Sequence, residues 1–492
     1  MRLSRIFRVF LPITFFAVLG FLTMGYHPGS EDDGIYLTAV KADLNPSLYP
    51  HDSNFFRLQM QASLFDGAMA RGVGVTGIPL AWAEVLGQFL SLFLILWACF
   101  RISQHIFIEP QAQWAALAMV SAMLTLPVAG TALYIADQHL HPRNVVTALI
   151  LLAISRILDG KRWHAVPLLV LAFVLHPIMS ALGISFCFFV TVAFLPPATA
   201  RLRAVESSLA SVAVPLGWIF EQPTPSWRHA LDTRTYYNLY RWTWYEWLGA
   251  LAPLVLFWLL WWVARKHGET KLARLALGIL AYGIFQQIVA MIMLTPDTLV
   301  RLTPLQPMRF LQLIYIFMAL TAGGLVGRFL LKAKVWRWAI FLLVFNGGMF
   351  AVQRQLFASS AHIELPGVPS SNPWLQSFAW IRHNTPKDAY FALDPQYLAA
   401  PGEDYHSFRA LAERSQLADG IKDTAVVTQV PELGQEWEEQ VKAQAGWSHF
   451  QLADFERLKK NFGVDWVLVS YPQPSGLNCR WHNAELAVCQ VP

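Results

Sequence analysis

The chain has 492 residues, of which 55% are hydrophobic and only 14% are charged, and its mean hydropathy is +0.39. One soluble core of this length cannot bury so much apolar side chain, so the composition excludes an ordinary globular protein. The formal net charge of +5 does not indicate a nucleic-acid partner, because the Lys and Arg residues flank the apolar runs and form no single patch.

Apolar runs before position 357 predict an α-helical membrane protein of many spans. Each run can cross a hydrocarbon layer of roughly 30 Å at about 1.5 Å per residue. We predict about eleven crossings, at 7–26, 79–100, 113–135, 143–158, 164–175, 177–195, 208–220, 246–263, 272–294, 308–327 and 335–353. The count falls to about nine if 164–195 is one kinked helix and 208–220 lies on the surface.

The basic residues predict the orientation. With the N-terminus in the cytoplasm, most Lys and Arg between spans fall in cytoplasmic loops, as the positive-inside rule requires. No small-residue cleavage site follows the first run, so we interpret it as a retained anchor. The extracytoplasmic segments are then 27–78, 136–142, 221–245, 295–307 and everything after the last span.

The first outer loop, 27–78, starts with three adjacent carboxylates, Glu31, Asp32 and Asp33. A carboxylate here could act as a general base or ligate a divalent cation such as Mg²⁺ or Mn²⁺. The alternative is a solvated loop in which Asp33 and Gly34 form a turn or a helix cap. Because adjacent side chains diverge at a helix start, we expect only one aspartate to be essential, and we favour Asp32. The rest of the loop predicts amphipathic helices over Tyr36–Leu44 and Phe55–Met69.

The second outer loop brings Asp137, His139 and His141 together with Arg143 at its end. Imidazoles can ligate a transition metal or carry protons, and a guanidinium can bind phosphate. A metal site here would use Asp32, Asp137 and His139. The alternative is an interfacial turn in which the next helix begins at position 142 and Arg143 reaches the lipid headgroups.

Other polar residues are weaker candidates for the same outer face. His176 precedes a proline within an apolar stretch, where a histidine is usually a hydrogen-bonded kink residue. Five arginines lie on the side that the topology rule disfavours for cations, which indicates an anionic ligand such as phosphate: Arg228, Arg234, Arg241, Arg301 and Arg309. The aromatic run 236–245 could stack on sugars or form an interfacial belt.

Residues 358–492 have the composition of a soluble domain. The pattern predicts helices at Trp374–His383, Phe408–Leu417, Trp437–Gln444 and Phe455–Phe462, and strands at Ala389–Leu393, Ala425–Val430 and Val464–Ser470. This alternation indicates a small α/β domain. Cys479 and Cys489 flank a short turn and would form a disulfide in an oxidising compartment.

The layout resembles that of the GT-C glycosyltransferases, membrane enzymes that use polyprenyl-phosphate-linked donors. The similarity consists of Glu31-Asp32-Asp33 after the first span, a polar second outer loop, arginines near later span ends and a C-terminal outer domain. The run Trp380–Ala389 also resembles the start of that domain in bacterial members, which implies a bacterial inner membrane. The resemblance implies a catalytic or metal-binding role for Asp32 or Asp33, places Asp137 as the second-loop acid, and directs Arg301 and Arg309 to the lipid phosphate. The chain lacks a Trp-Trp-Asp triad, which argues against transfer of a whole glycan to asparagine.

The leading hypothesis is sugar transfer from a lipid-linked donor to a glycan, lipid or protein acceptor. Glu31, His139, His141, Arg143, His176 and the outer arginines would then bind substrate. One alternative is transport or flipping of a lipid-linked saccharide, for which the intramembrane polar residues are Glu84, Gln88, Gln286 and Gln287. Another is a non-catalytic envelope assembly protein.

Overall fold

A computed structural model describes residues 2–195, 219 and 221–492, with side chains from residue 9 onward. The predicted span 208–220 therefore lies outside the described residues, apart from Ile219. The first part of the chain is helical: α1 (Arg2–Met24), α2 (Asp33–Leu44), α3 (Asn54–Met60), α4 (Phe65–Thr76), α5 (Leu80–Ile106), α6 (Pro110–Ala122), α7 (Pro142–Leu158), α8 (Val166–Leu175) and α9 (Pro177–Phe194). After residue 221 come α10 (Pro225–Asp232), α11 (Trp244–Lys266), α12 (Thr270–Leu294), α13 (Leu311–Val326) and α14 (Val335–Leu356).

Within the described residues, six helical segments are long and apolar enough to cross a membrane: Leu80–Ile106, Pro177–Phe194, Trp244–Lys266, Thr270–Leu294, Pro307–Leu331 and Val335–Leu356. Shorter apolar helices occupy Val9–Met24 and Arg162–Leu175. Many large apolar side chains on these helices point outward, including Leu256 and Leu343, as lipid-facing side chains do. The chain has the features of a multi-pass membrane protein, but the predicted count of nine to eleven spans is not confirmed.

The predicted span 113–135 is not one helix. Helix α6 stops at Ala122, and a short antiparallel hairpin of β1 (Pro127–Val128) and β2 (Leu133–Tyr134) follows. Pro127 has no N–H to continue the helix, and Gly130 turns the chain with a positive φ of 62°. The predicted spans 164–175 and 177–195 are two helices, α8 and α9, which meet at His176 and Pro177.

The last part of the chain folds around one mixed five-stranded sheet. Its strands are β3 (Tyr390–Ala392), β4 (Ser415–Gln416), β5 (Trp466–Ser470), β6 (Asn478–His482) and β7 (Leu486–Gln490), in the spatial order β4-β3-β5-β7-β6. Strand β3 is parallel to β4 and β5, and β7 is antiparallel to β5 and β6. A disulfide joins Cys479 on β6 to Cys489, its cross-strand neighbour on β7.

The helices of this domain are α15 (Pro373–Asn384), α16 (Phe408–Ala412), α17 (Lys422–Gln429), α18 (Gly434–Ala443) and α19 (Leu452–Phe462). Two predictions here are wrong. Residues 408–417 form the short helix α16 followed by β4. Residues 425–430 belong mainly to α17, because the Asp419 carboxylate accepts the N–H groups of Ile421 and Lys422 and so starts a helix. The β-branched residues that suggested a strand, Val426 and Val427, are buried instead on one face of α17.

The C-terminal domain packs against the first loop through a shared apolar core. Phe55 and Phe56 from α3 lie in one buried cluster with Val426, Val427 and Trp437. At its edge, the buried Arg409 on α16 donates to Asp52 of the loop and, at 2.7 and 2.9 Å, to Asp423 of α17. We call the end of the helix bundle that carries this domain the outer end.

Replacing Arg409 with Met should destabilise the protein by about 3–5 kcal/mol, because the change leaves two buried carboxylates without their cation. Thermal unfolding in detergent measures the effect. Arg457→Met is the matched control, since Arg457 is half-exposed and its ion pair is with Asp454, three residues away; it should cost less than about 1 kcal/mol. Equal losses in the two variants would contradict the role given to Arg409.

Candidate active site

The acidic segment forms a tight turn that is fixed by the C-terminal domain. Glu31 has a positive φ of 52°, and its N–H donates to the carbonyl of Tyr405 at 2.9 Å. The Asp33 carboxylate accepts the N–H of Gly29 at 2.6 Å, which stabilises the start of α2. A Cβ on Gly34 would come within 2.5 Å of the Ser407 side chain, so this close approach requires glycine.

Asp32 stands at the N-cap of α2, but its side chain makes no capping hydrogen bond. Its carboxylate instead lies 3.1 Å from Lys422 Nζ and 3.5 Å from Arg143 Nη2. About a third of the side chain (32%) is exposed. Asp32 is therefore the carboxylate that is free of a structural task, whereas Asp33 is buried and supports the turn.

The two aspartates differ in their pKa values for physical reasons. Burial alone would raise the pKa of Asp32, but Lys422 and Arg143 hold it well below its usual range. Burial raises the pKa of Asp33, and the nearby His139 and the Gly29 N–H only partly offset this. At neutral pH Asp32 is therefore a fully ionised carboxylate.

The second loop holds Arg143 in place. Both oxygens of Asp137 accept from the Arg143 guanidinium, at 2.7 and 3.0 Å. The loop backbone is fixed by Asn144, whose side chain bonds to the N–H and the carbonyl of Asp137, and by Gln88, which donates to the same carbonyl at 2.7 Å. Asp137 thus orients a cation beside Asp32.

Three buried histidines, His139, His141 and His176, lie near Arg143. His141 Nδ1 accepts the backbone N–H of Arg143 at 2.9 Å, and its ring lies edge-on to that of Tyr36. His176 caps α9, with Nδ1 3.5 Å from the N–H of Met179. His139 is buried and neither ring nitrogen has a partner among the described residues.

Two neighbouring cavities share a wall made of Asp32, Arg143, Tyr236, Arg309 and Ala425. The larger has a volume of about 710 Å³, and the smaller about 160 Å³. The larger cavity is lined by Arg143, Arg234, Arg309 and Lys422, and it extends along the β1–β2 hairpin to α11 and α13 at Tyr245, Gly249 and Tyr315. The smaller one is lined by Tyr36, Gln59, His141, His176, Tyr237 and Gln306 among others.

Arg309 reaches the shared wall because the chain turns sharply just before it. Gln306 adopts a left-handed conformation (φ 49°), which ends the 3₁₀ helix Asp297–Leu305 and starts a second one, Pro307–Phe310. The Gln306 side chain donates to the Tyr237 hydroxyl at 2.8 Å. In the part of the chain that the structure describes, neither Arg309 nor Arg234 pairs with a carboxylate within 4.0 Å. These two guanidinium groups are available to an anionic ligand.

Several predicted residues lie elsewhere. Arg301 stacks on Trp227, with its guanidinium 5.0 Å from the ring centre, and Arg241 is exposed and donates to the carbonyl of Asp232. Neither arginine lines the two cavities. Glu84, Gln88, Gln286 and Gln287, the residues on which the transport alternative depends, also line neither cavity.

No sequence pattern indicated Lys422 as a site residue. Arg234 is one of the predicted outer arginines and Tyr236 belongs to the predicted aromatic run, but nothing in their spacing separates them from Arg241. Lys422 lies 390 residues from Asp32 along the chain. Only the packing of the C-terminal domain on the first loop brings the two together.

The predicted metal ligands are Asp32, Asp137 and His139. The oxygens of Asp32 face two cations, and those of Asp137 are both held by Arg143. Within residues 2–195 and 221–492, one group of three His, Cys, Asp or Glu side chains has its ligand atoms within 4.8 Å of one another. This group is His27, Glu364 and His406. The acidic turn therefore does not have the form of a metal site.

Comparison with solved structures finds archaeal oligosaccharyltransferases, which are GT-C membrane glycosyltransferases. One is AglB from Archaeoglobus fulgidus in complex with an inhibitory peptide and a dolichol-phosphate, at 12% identity and a TM-score of 0.47, over 94% of this chain and 69% of that chain. Another is an oligosaccharyltransferase of the same organism in complex with Zn and sulfate, at 11% identity and a TM-score of 0.46, over 93% and 68%. No family model and no curated protein sequence matches the chain.

Neutralising the two acids should affect stability differently. Asp137→Asn should destabilise the protein by about 3–5 kcal/mol, because Arg143 is buried and loses its bidentate partner. Asp32→Asn should cost less than about 1 kcal/mol, because Asp32 is partly exposed and Lys422 keeps its pair with Glu31. Thermal unfolding of both purified variants tests this; a larger loss for Asp32→Asn would show that Asp32 is a structural residue.

Proposed function

We propose that this chain is a membrane glycosyltransferase that transfers a sugar from a polyprenyl-phosphate-linked donor to an acceptor at the outer end of its helix bundle. The observation that carries the proposal is the position of Asp32. Its ionised carboxylate has no capping role and forms part of the wall between two cavities, beside three cations. A general base next to an anion-binding surface is the arrangement that glycosyl transfer from a phosphate requires.

The larger cavity suits the lipid-phosphate part of the donor. Arg234 and Arg309 can bind the phosphate without giving up an ion pair, and guanidinium groups match phosphate oxygens in geometry. From these cations the cavity continues to the ends of two apolar helices, α11 and α13. A polyprenyl chain that lies in the bilayer could enter along this side.

The smaller cavity suits a sugar ring. Its lining combines the rings of Tyr36, Tyr236 and Tyr237 with hydrogen-bonding groups of Gln59, His176 and Gln306. Aromatic faces pack against the apolar faces of sugars, and amides and imidazoles can hydrogen-bond hydroxyl groups. Asp32 and Arg309 border both cavities, so they would meet the bond between sugar and phosphate.

In the proposed reaction, an acceptor hydroxyl attacks the anomeric carbon and the bond from that carbon to the phosphate oxygen breaks. The hydroxyl proton passes to Asp32, and polyprenyl phosphate leaves with one additional negative charge. Arg309 and Arg234 stabilise that charge as it develops. The acceptor is a glycan, a lipid or a protein.

In the proposed site, cationic side chains supply the positive charge that a divalent ion would otherwise supply. Lys422 and Arg143 already neutralise Asp32 and Glu31, and Arg309 and Arg234 face the phosphate. A pKa held so low makes Asp32 a weak base in the empty site. Donor phosphate bound to the arginines would cancel part of their positive field, raise the pKa of Asp32 and so strengthen the base when substrate is present.

Asp32→Asn should lower the maximal rate of transfer by roughly 10² to 10⁴, because the amide keeps the shape but cannot accept the proton. Purified protein is assayed with labelled polyprenyl-phosphate sugars and a membrane-lipid acceptor fraction. Asp33→Asn should retain most of the activity, because an amide oxygen can still accept the Gly29 N–H. Asp43→Asn, an exposed position on the same helix, is the control. Near-normal transfer by Asp32→Asn would contradict the proposal.

Arg309→Ala should raise the donor concentration needed for half-maximal rate more than it lowers the maximal rate, since a phosphate contact contributes to binding of the donor. Arg301→Ala is the matched control, because Arg301 lies in the preceding 3₁₀ helix, Asp297–Leu305, and outside both cavities. Steady-state kinetics with varied donor separates the two. Identical donor dependence in both variants would remove Arg309 from the binding site.

Lys422→Met should move the acid limb of the rate profile to higher pH. Asp32 works as a base only above its pKa, and losing Lys422 raises that pKa. The variant should therefore lose activity at a higher pH than the wild-type protein does. Lys442→Met, at a largely exposed position paired with Glu438, is the control. An unchanged profile in Lys422→Met would show that another group sets the acid limb.

A further inference from the structure

A second polar cluster lies beside the acidic turn, outside the two cavities. His27 Nδ1 is 2.7 Å from Glu364 Oε1, and His406 Nε2 is 3.0 Å from the same oxygen. Both imidazole side chains are fully buried, and Glu364 is 12% exposed. The three residues come from the loop after α1, the segment after α14 and the C-terminal domain.

We propose that His27, Glu364 and His406 form a zinc site that fastens the acidic turn to the C-terminal domain. Two imidazole nitrogens and one carboxylate oxygen are a ligand set that Zn²⁺ takes, with water in the fourth position. The ligand atoms all lie within 4.8 Å of one another. Zn–N and Zn–O bonds of about 2.0–2.2 Å place ligand atoms roughly 3.3 Å apart, so zinc binding would move the Glu364 oxygen a few tenths of an ångström away from both imidazole nitrogens.

The surroundings of His406 support this assignment. Its other ring nitrogen, Nδ1, lies 3.0 Å from the carbonyl oxygen of Glu403 and donates to it. This contact fixes the tautomer that leaves the Nε2 lone pair free, as partners of metal-bound histidines do. The ring of His27 is fixed by stacking on Phe357, with 3.7 Å between centroids.

The charges of the cluster also fit a divalent cation. Glu403 is fully buried, and no side chain among the described residues hydrogen-bonds to either of its carboxylate oxygens. A buried carboxylate in that state needs positive charge nearby. One Zn²⁺ with two neutral imidazoles would balance Glu364 and Glu403 together.

The backbone around the cluster shows what the ion would hold. Tyr26 and Ile363 form a parallel bridge, and Ser30 and His406 an antiparallel one. Ser30 directly precedes the turn of Glu31 to Asp33. A metal at this point would therefore be a positioning element, which keeps Asp32 in register with Lys422 and takes no part in the chemistry.

Metal content tests the site without an activity assay. The tag-free full-length protein is passed through metal-free buffer by gel filtration and analysed by mass spectrometry of the elements. We expect about one zinc per chain in the wild-type protein and in Asp32→Asn, and a loss of most of it in His406→Ala. Zinc that stays in His406→Ala would place the ion elsewhere and overturn the proposal.

Two measurements on the wild-type protein guard against a variant that fails to fold. X-ray absorption at the zinc edge should show two imidazole ligands, and a spectrum without imidazole scattering would overturn the proposal. A chelator should lower the unfolding temperature, and Zn²⁺ should restore it while Mg²⁺ does not. If the protein holds no zinc and added Zn²⁺ leaves the unfolding temperature unchanged, the three residues form only a hydrogen-bonded cluster.

Discussion

An ionised aspartate at the mouth of a membrane protein must be compensated by positive charge, and at Asp32 that charge comes from two distant parts of the chain. Arg143 is supplied by the start of α7 and is oriented by Asp137. Lys422 is supplied by the start of α17 in the C-terminal domain. The site exists only when the second outer loop and the C-terminal domain are both packed against the first loop. The Arg409 ion pairs, the shared apolar core and the bridges at Tyr26 and Ser30 all serve that packing.

The need for nearby positive charge also explains why Glu31, Asp32 and Asp33 have different roles. Glu31 is paired with Lys422, Asp33 holds the turn through the Gly29 N–H, and Asp32 faces the cavities. The three residues are adjacent at the start of α2, where successive side chains point in different directions. This divergence produces the division of roles. Because Asp32 lies beside several cations, one bound anion can change the electrostatic potential at its carboxylate and raise its pKa. Among the described residues Arg234 and Arg309 have no carboxylate partner, so the proposed ligand is an anion such as the phosphate of a lipid-linked donor.

Local sequence patterns predicted the parts of the fold that depend on local chemistry. The apolar runs of α11, α12 and α14 were predicted to within a few residues, as were α15 and α19. Helix α5 was also predicted, but it extends six residues beyond the predicted end. The errors arose where tertiary context decides. Residues 113–135 were predicted as one span, although Pro127 and Gly130 interrupt the apolar run. Val426 and Val427 were predicted to lie in a strand, although the Asp419 carboxylate accepts N–H groups at the start of a helix there.

The residues of the candidate site also fall into two groups: those that short sequence motifs indicate and those that only tertiary contacts bring to the site. Asp32, Asp137 and Arg143 lie close to short motifs that the sequence displays, and the divergence of Asp32 from Asp33 follows from backbone geometry alone. The contribution of Lys422 depends on a contact across 390 residues, which no spacing rule reveals. Arg301 was expected with Arg309 because they are neighbours in sequence. The left-handed Gln306 turns the chain between them and sends only Arg309 to the cavities.

The proposed function requires that the surface beside Asp32 binds a lipid-linked phosphate. A cryo-electron microscopy map of the full chain in lipid nanodiscs, with a non-hydrolysable polyprenyl-phosphate sugar analogue, would show where that phosphate lies. We expect phosphate density in contact with Arg309 and Arg234, the polyprenyl chain running toward α11 and α13, and the sugar within hydrogen-bond reach of Asp32. Phosphate density at any other place on the molecule, with both cavities empty of the analogue, would contradict it.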